Sequence, residues 1–242
     1  MRGALPDPDG DGRGGNGRSR GPIEGADRGR TGMGVAIAGQ QYLWPNRTVA
    51  FVVDPAMPDP QRAFDAVAHW NQHGRMRFIA RTDESDYVRI DFMAGAARSA
   101  VGRQGGEQDV AIGEDCPVGS IIHELGHAVG LWHEQCRSDR DQWVRIEIDN
   151  ILPECMSNFD LKINFDGLTD HDSIDLGAYD YGSIMHYRTF AADDFAYDPT
   201  MAVITPLRPI PPGVEIGQRQ ALSAGDIAAV EELYQGIALP GD

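Results

Sequence analysis

Residues 123–133 constrain this chain more than any other segment, because they carry three histidines and a glutamate in the order His-Glu-Leu-Gly-His-Ala-Val-Gly-Leu-Trp-His. If residues 118–129 form a helix, His123 and His127 are four positions apart and project from one face, about one turn from each other. Two imidazoles in this arrangement can share one metal ion. The spacing therefore predicts a helix that presents two metal ligands.

A third ligand on the same helical face would crowd the metal, so the chain has to leave the helix and return. Gly130 permits the positive φ at which many helices end, and His133 follows three residues later. Three nitrogen ligands leave the fourth position of a tetrahedral ion open, as in catalytic rather than structural zinc sites. Glu124, which is not a ligand in this arrangement, is then the candidate general base. An ordinary core helix with incidental histidines would not explain the glutamate and the glycine in register.

Composition limits the organisation and the partners of the chain. A length of 242 residues with 41% hydrophobic residues suits one domain with two lobes around a cleft better than two independent domains. The formal charge of -16, from 21 basic and 37 acidic residues, disfavours nucleic acid as a partner. No apolar run reaches the roughly 18 residues of a membrane span, and the N-terminus as written lacks an apolar segment of signal-peptide length.

The first 34 residues differ in composition from the rest. Residues 1–34 are rich in glycine, arginine and aspartate and contain very few apolar side chains, so burial cannot offset the entropy of ordering them. We expect a disordered tail or the remnant of a pro-segment. Apolar sequence begins at Val35, and the folded domain is expected over residues 35–242.

Regular elements are predicted on both sides of the metal helix. Strands are expected over residues 49–53, 77–81, 87–92 and 110–113. A helix from Asp59 and Pro60 to about His73 is expected to bury four apolar side chains, Phe64, Val67, Ala68 and Trp70. The sequence beyond His133 is polar and irregular until a last helix, with Ser223 as its N-cap, Asp226 in its first turn, and an apolar face of Ile227, Val230 and Tyr234.

A second motif lies in the irregular part of the chain. The zinc-binding sequence, followed by the methionine-containing turn Ser183-Ile184-Met185-His186-Tyr187, resembles the metzincin clan of metalloendopeptidases, and within it the astacin family. The resemblance extends from near Val35 to Tyr234. It includes Tyr42-Leu43-Trp44, residues 81–88, His133-Glu134 with Arg137-Ser138-Asp139-Arg140-Asp141 and Val144, and Ser157-Asn158-Phe159-Asp160.

The resemblance implies an α+β fold of the two-lobed metzincin type. An N-terminal lobe, residues 35–130, would hold a twisted mixed sheet and two long helices, and a largely irregular C-terminal lobe, residues 131–242, would end in a helix. A protein or peptide substrate would lie in the cleft between them as an extended strand, paired with an edge strand around residues 110–113. The resemblance also implies a protein that is secreted or extracellular, and we expect a monomer.

The resemblance assigns roles to single residues as well. Met185 would lie beneath the metal as an apolar floor, and Tyr187 would be a further zinc ligand that can swing away; in another context both would be core residues. One zinc ion held by the three histidines would polarise the scissile carbonyl and lower the pKa of water toward about 7. Glu124 would move the proton from the water to the leaving amine, and Tyr187 would hydrogen-bond the oxyanion.

Two other classes of function are open at this point. A non-catalytic zinc-dependent binding module would keep the fold but would not need Glu124 or Tyr187, and both are present. A latent precursor would place an aspartate from its N-terminal segment on the zinc, but residues 1–34 lack the Phe-x-Gly-Asp pattern of astacin propeptides. The sequence is therefore interpreted as that of a zinc metalloendopeptidase.

The N-terminus and the cysteines lead to two further expectations. In astacins the mature N-terminus meets the glutamate after the third zinc histidine, here Glu134, which would place the mature start near Val35 and remove residues 1–34. The alternative is a permanent extension, with an arginine or water as the partner of Glu134. Astacins usually carry two disulfide bonds, whereas this chain has three cysteines and can therefore form at most one. Cys136 and Cys155 are the candidates for this bond, and Cys116 would be left over.

Overall fold

The structure is a computed structural model that describes residues 33–95, 97–161, 173–191 and 195–237. Residues 1–32 of the predicted tail therefore lie outside the described residues. Its strands and α-helices follow one another in a mixed order. They are β1 (Val35–Ile37), β2 (Thr48–Val53), α1 (Gln61–His73), β3 (Arg77–Ala80), β4 (Tyr87–Phe92), β5 (Ala97–Ser99), β6 (Glu107–Ile112), α2 (Val118–Val129), β7 (Val144–Ile146), β8 (Ser173–Asp175), β9 (Ile204–Pro206) and α3 (Ala224–Leu233).

Five of the strands form a mixed sheet in the spatial order β3-β2-β4-β6-β5. The first four are parallel, and β5 runs antiparallel to β6. This confirms the mixed sheet and the four strands predicted for it. The predicted position of the edge strand is wrong, however, because β6 pairs with β4 on one side and with β5 on the other. The free edge belongs to β5, a three-residue strand too short to produce a periodic pattern in the sequence.

Helix α1 packs against the metal helix with a face slightly different from the predicted one. Val67 and Trp70 are buried as expected, and the Trp70 indole donates a hydrogen bond to Ile122 O at 2.9 Å. Phe64 is 46% exposed and Ala68 is also exposed. The alanines at 63 and 66 take their place in the core, because small side chains allow α1 to approach its neighbours closely.

The metal helix is the most deeply buried of the α-helices in the described residues. Helix α2 has the predicted bounds, and ten of its twelve residues are buried. It ends at Gly130, which has φ 123° and donates its N–H to Gly126 O and His127 O. A side chain at Gly130 would also come within 3.1 Å of Ile37 and 3.2 Å of Leu233. The predicted glycine stop is therefore confirmed, and both backbone conformation and close packing require it.

The C-terminal part of the chain has little regular structure, as predicted. A second apolar cluster, which includes Val144, Tyr179 and Ile204, lies entirely within it. Helix α3, by contrast, packs into the main core through Val230 and Tyr234. It begins with the predicted N-cap, since Ser223 and Asp226 form a reciprocal capping box.

Two further features concern the sheet edge and the cysteines. At the β3 edge, the Asn71 side chain accepts a hydrogen bond from Phe78 N at 2.7 Å and donates one to Phe78 O at 3.0 Å. The structure forms no disulfide bond among the three cysteines, so the one considered between Cys136 and Cys155 is absent. No helix in the described ranges is long and apolar enough to cross a membrane.

Candidate metal centre

The structure brings the three predicted histidines together. The Nε2 atom of His133 lies 3.2 Å from Nε2 of His123 and 3.0 Å from Nε2 of His127. Tetrahedral ligands at the usual Zn–N distance of about 2.0–2.1 Å would be about 3.3–3.4 Å apart. The donor set and its spacing therefore fit one zinc ion. In the part of the chain that the structure describes, no other group of three His, Cys, Asp or Glu side chains converges in this way.

Backbone carbonyls orient the two helical imidazoles. His123 Nδ1 lies 2.7 Å from Ile184 O, and His127 Nδ1 lies 2.7 Å from Leu131 O. A carbonyl can only accept a hydrogen bond, so both Nδ1 atoms carry the proton and both Nε2 lone pairs are directed at a metal. Burial, Arg219 and His127 hold the pKa of His123 well below its ordinary value, which keeps the imidazole neutral.

The third histidine comes from the irregular segment after the glycine stop. His133 is half-buried, and its ring packs against the ring of Tyr187 with centroids 4.4 Å apart. The Tyr187 backbone is held on both sides, because its N–H donates to Gln135 Oε1 at 3.0 Å and its carbonyl accepts from His186 Nδ1 at 2.6 Å. The structure thus places the Tyr187 ring beside the third imidazole.

The catalytic candidate and the methionine of the turn both belong to the buried surroundings of the metal helix. Glu124 is buried, at 6% exposure, one position from His123. Met185 is buried at 2% and packs on the helix at Gly126, where a hypothetical Cβ would lie 2.7 Å from its sulfur. The absence of a side chain at Gly126 lets the turn approach the helix closely, which sequence spacing alone does not reveal.

Glu134, next to the third histidine, is fully buried. Its Oε1 atom accepts a hydrogen bond from Asp180 N at 2.8 Å and lies 3.8 Å from Arg137 Nε. Its Oε2 atom has no hydrogen-bond partner among the described residues. Burial raises the pKa of Glu134 well above its ordinary range, against the opposing effect of Arg137. The position that Cβ would take at Gly34 is 3.7 Å from this Oε2.

Arg137 is a buried cation that the sequence interpretation did not single out for the site. It is 1% exposed, and its Nη1 donates to Gly34 O and to Leu176 O, each at 2.8 Å. Its Nε and Nη2 bond to the Asp139 carboxylate, and Nη2 also donates to Gly177 O. Arg137 therefore ties the segment after the third histidine to the strand pair β1 and β8.

A cavity of about 420 Å³ opens beside Tyr187. Its lining residues include two aromatic residues, Phe159 and Phe195, and two arginines, Arg188 and Arg219. Arg208 is not among the lining residues, and its guanidinium lies over the Trp143 ring, 4.1 Å from the ring centroid. A larger cavity, about 550 Å³, lies against Trp44 and β2 and contains none of the site residues.

A mixed sheet, a His-Glu-x-x-His helix that stops at glycine, a third histidine and a methionine turn under the helix together define a zinc peptidase of the metzincin class. The sequence profile of the Astacin peptidase family matches residues 36–235. The chain belongs to the astacin family of zinc metalloendopeptidases.

Individual relatives agree with this assignment. Nematocyst expressed protein 6 of Nematostella vectensis is 37% identical over 201 residues, which are 81% of this chain and 66% of that protein. Tolloid-like protein 2 of Homo sapiens is 40% identical over 202 residues, 81% of this chain and 19% of that protein. The solved structure of high choriolytic enzyme 1, a hatching enzyme zinc-protease from Oryzias latipes, superposes with a TM-score of 0.66 at 34% identity and covers 80% of this chain and 94% of that chain. This chain therefore spans less than two thirds of the length of either curated relative.

Proposed function

We propose that the chain hydrolyses internal peptide bonds of proteins with one zinc ion and with Glu124 as general base and acid. The convergence of three imidazole Nε2 atoms beside a buried glutamate supports this proposal most directly. A non-catalytic zinc-binding module would account for the imidazoles but not for a carboxylate held at 6% exposure next to them, because burying a carboxylate has a desolvation cost.

The chain's own groups have distinct roles in the proposed reaction. A zinc ion held by the three imidazoles would polarise the scissile carbonyl and lower the pKa of water toward about 7. Glu124 accepts the proton that the attacking water loses and donates it to the leaving amine. Tyr187 turns its hydroxyl toward the developing oxyanion, and such a donor is typically worth about 2.7–4 kcal/mol. Met185 closes the site from below and excludes water.

The substrate is proposed to bind as an extended strand along β5. This strand is at the edge of the sheet and runs antiparallel to its neighbour β6. Three residues beyond its end, Gly102 donates its N–H to His127 O at 2.8 Å, so the chain after β5 reaches the backbone of a metal ligand. Main-chain hydrogen bonds along β5 would supply affinity without regard to side chains.

Side-chain preference would come from the cavity beside Tyr187. Its aromatic walls suit an apolar stem, and its two guanidinium groups suit a carboxylate at the end of that stem. We therefore expect acidic side chains to be favoured next to the scissile bond. Arg219→Met should weaken this preference in a peptide library, whereas Arg208→Met, which removes a guanidinium stacked on Trp143, should leave it unchanged.

The test of the proposed activity compares wild type with Glu124→Gln on a proteome-derived peptide library, with zinc measured in both. We expect about one zinc per chain in each protein, internal cleavage by wild type that a chelator abolishes, and almost no cleavage by the variant. Glu114→Gln, an exposed carboxylate close to the metal helix, is the matched control. Cleavage that survives the loss of Glu124 would defeat the proposed mechanism.

We also propose that the active chain starts near Val35. The Oε2 atom of Glu134 has no hydrogen-bond partner among the described residues and lies close to Gly34. Both observations support this start, because an α-ammonium at that point would compensate a buried carboxylate. Intact-mass measurement of active protein is the test. Full specific activity in chains that still start at Met1, with no gain for a chain that starts at Val35, would favour the permanent extension instead.

Three broader expectations remain proposals. They are the division at residue 130 into an N-terminal and a C-terminal lobe, a monomeric state, and an extracellular site of action. Size-exclusion chromatography with light scattering tests the second, and the redox state of the three cysteines, which form no disulfide bond in the structure, gives access to the third. Alkylation of the protein as isolated from cells or from the medium would show in which compartment the thiols stay reduced.

A further inference from the structure

The carboxylate of Asp226, in the first turn of α3, is almost completely buried at 1% exposure. It accepts three hydrogen bonds of ordinary length. Oδ1 accepts from Ser183 Oγ at 2.6 Å, and Oδ2 accepts from Ile184 N at 2.9 Å and from Ser223 N at 2.8 Å. Only the last of these belongs to the helix cap, and the other two reach across to the methionine turn.

The methionine turn is also the element that orients the first metal ligand. Ile184 O lies 2.7 Å from His123 Nδ1, and Ser183 Oγ accepts a hydrogen bond from Met185 N at 3.0 Å. Asp226 thus binds the N–H of the residue whose carbonyl orients His123, and also the hydroxyl that holds the next N–H of the turn. A continuous set of hydrogen bonds runs from α3 to the imidazole.

A helix cap alone would not require this arrangement. An N-cap serine with an exposed acid three residues later satisfies the same helix donors, and a buried carboxylate has a desolvation cost. Asp180 adds a further unfavourable charge, since its Oδ2 accepts a hydrogen bond from Ser223 Oγ at 2.6 Å on the other side of the cap. Burial indeed raises the pKa of Asp226 from 3.8 to about 6 despite its three donors. The fold retains a costly group at the point where it contacts the turn.

We propose that Asp226 is a positioning residue of the metal centre, which fixes the methionine turn so that Ile184 O holds His123 in the orientation required for zinc. The proposal deepens the proposed function, on which it rests for the identity of the metal. Partners of metal-binding histidines typically change metal affinity by about 10- to 100-fold when they are removed. Asp226 acts one contact further away, so we expect a smaller change, about 3- to 10-fold.

The test compares three variants that divide the contacts of Asp226. Asp226→Asn keeps the shape but can accept fewer hydrogen bonds. Ser183→Ala removes a contact on the side of the turn and leaves the helix cap intact. Ser223→Ala removes the cap hydroxyl and leaves both contacts of Asp226 to the turn. For each protein, the zinc dissociation constant is measured by competition with a chromophoric chelator, and thermal unfolding is measured without metal.

We expect Asp226→Asn and Ser183→Ala to weaken zinc binding about 3- to 10-fold and to shift the visible absorption bands of the cobalt-substituted protein. Ser223→Ala should lower the unfolding temperature of the metal-free protein while its zinc affinity stays within about twofold of wild type. Equal losses of zinc affinity in Ser223→Ala and Asp226→Asn, or an unchanged affinity in Asp226→Asn, would overturn the proposal. If Asp226→Asn does not fold, an unchanged zinc affinity in Ser183→Ala would also overturn the proposal.

These measurements do not depend on peptide cleavage. If wild type binds zinc but cleaves no peptide, the proposed function fails, while the ranking of zinc affinities still decides the role of Asp226. If wild type cleaves peptides and the ranking is absent, only the role of Asp226 fails.

Discussion

The two halves of the metal centre are built in different ways. His123 and His127 lie on α2, whose backbone forms its own hydrogen bonds and whose side chains are almost all buried among apolar neighbours. His133 and Tyr187 lie on irregular chain, where several of the buried groups are polar or charged: Glu134, Gln135, Arg137, Ser183, His186 and Asp226.

This difference shows what replaces secondary structure where none is present. A helix fixes its ligands through a repeated backbone ladder, so the surroundings only have to be apolar and well packed. Irregular chain leaves its N–H and C=O groups without such a ladder, so each one that is buried needs a partner from a side chain, from another segment of backbone or from water. In the polar half, which carries His133 and Tyr187, stability is therefore expected to depend on single side-chain contacts and on pH. In the helical half, which carries His123 and His127, it is expected to depend on packing volume.

The largest effect is expected at the buried guanidinium. Arg137→Met would leave the carbonyls of Gly34 and Leu176 without this donor and remove the cation beside Glu134, so we expect a loss of about 3–5 kcal/mol in the free energy of unfolding. Urea denaturation measures it. Arg145→Met, whose guanidinium pairs with Glu147 but is 61% exposed, is the control and should change stability by about 0.5 kcal/mol or less. Similar losses in both variants would remove the proposed contrast.

The next effect concerns catalysis from the irregular half. Tyr187→Phe should lower kcat by about 10²- to 10³-fold and leave KM nearly unchanged, because the hydroxyl contact is made mainly in the transition state. Steady-state kinetics on one peptide checks both parameters. The exposed Tyr197→Phe should behave like wild type. A rise in KM at constant kcat would instead mean that Tyr187 binds the substrate in its ground state.

A pH effect should follow from Asp226. Its pKa is raised from 3.8 to about 6 by burial, so the folded state keeps a proton that the unfolded chain has already lost, and folding becomes less favourable as pH rises from about 4 to about 6. Burial lowers the pKa of His186 to about 4, which has the opposite sign and partly cancels the trend in wild type.

Asp226→Asn removes only one of these two contributions. The free energy of unfolding of wild type, relative to that of the variant, should therefore fall as pH rises from about 4 to about 6. The expected change is about 3 kcal/mol, at roughly 1.36 kcal/mol per pKa unit. Denaturation of the metal-free proteins at several pH values measures this difference. The exposed Asp65→Asn should show no such change. A difference that is constant across the range would mean that Asp226 is charged in the folded state throughout.

The smallest effect is expected where the two halves touch. In Gly126→Ala the new methyl group would lie 2.7 Å from the Met185 sulfur, which is the flexible part of a side chain and can move. The gain in helix propensity, about 0.5–1 kcal/mol, should offset much of the clash and leave the unfolding temperature close to that of wild type. Gly119→Ala is the contrasting variant, because its methyl group would overlap the backbone oxygen of Arg219 and cannot be accommodated cheaply. Equal losses would mean that the turn is as rigid as backbone.

Sequence reasoning succeeded where the signal is local. The bounds of α2, its glycine stop and the Ser223 cap follow from residues within one or two turns of each other, and the structure confirms them. The zinc triad is local too, and its side chains converge as predicted. The short edge strand β5 was missed because three residues carry no periodicity.

The polar half was much less predictable. The contacts of Arg137 with Leu176 O and of Arg219 with His186 O give no spacing signal, because these carbonyls lie more than 30 residues away in the chain. Asp226 was recognised only as a first-turn acid, because the contact to Ser183 joins positions 43 residues apart. Such contacts are decided by how the irregular chain crosses α3, and single-sequence patterns contain no information about that crossing.

The Asn71 side chain makes the two edges of the five-stranded sheet different. Its two hydrogen bonds to the main chain of Phe78 occupy one donor and one acceptor of the β3 edge, so another strand could add at that residue only by displacing them. A protease that binds substrates by strand addition also risks binding copies of itself, and with both edges open the molecules could join into chains. The Asn71 amide on α1 therefore disfavours strand addition on this side of the sheet, opposite the β5 edge at which substrate binding is proposed.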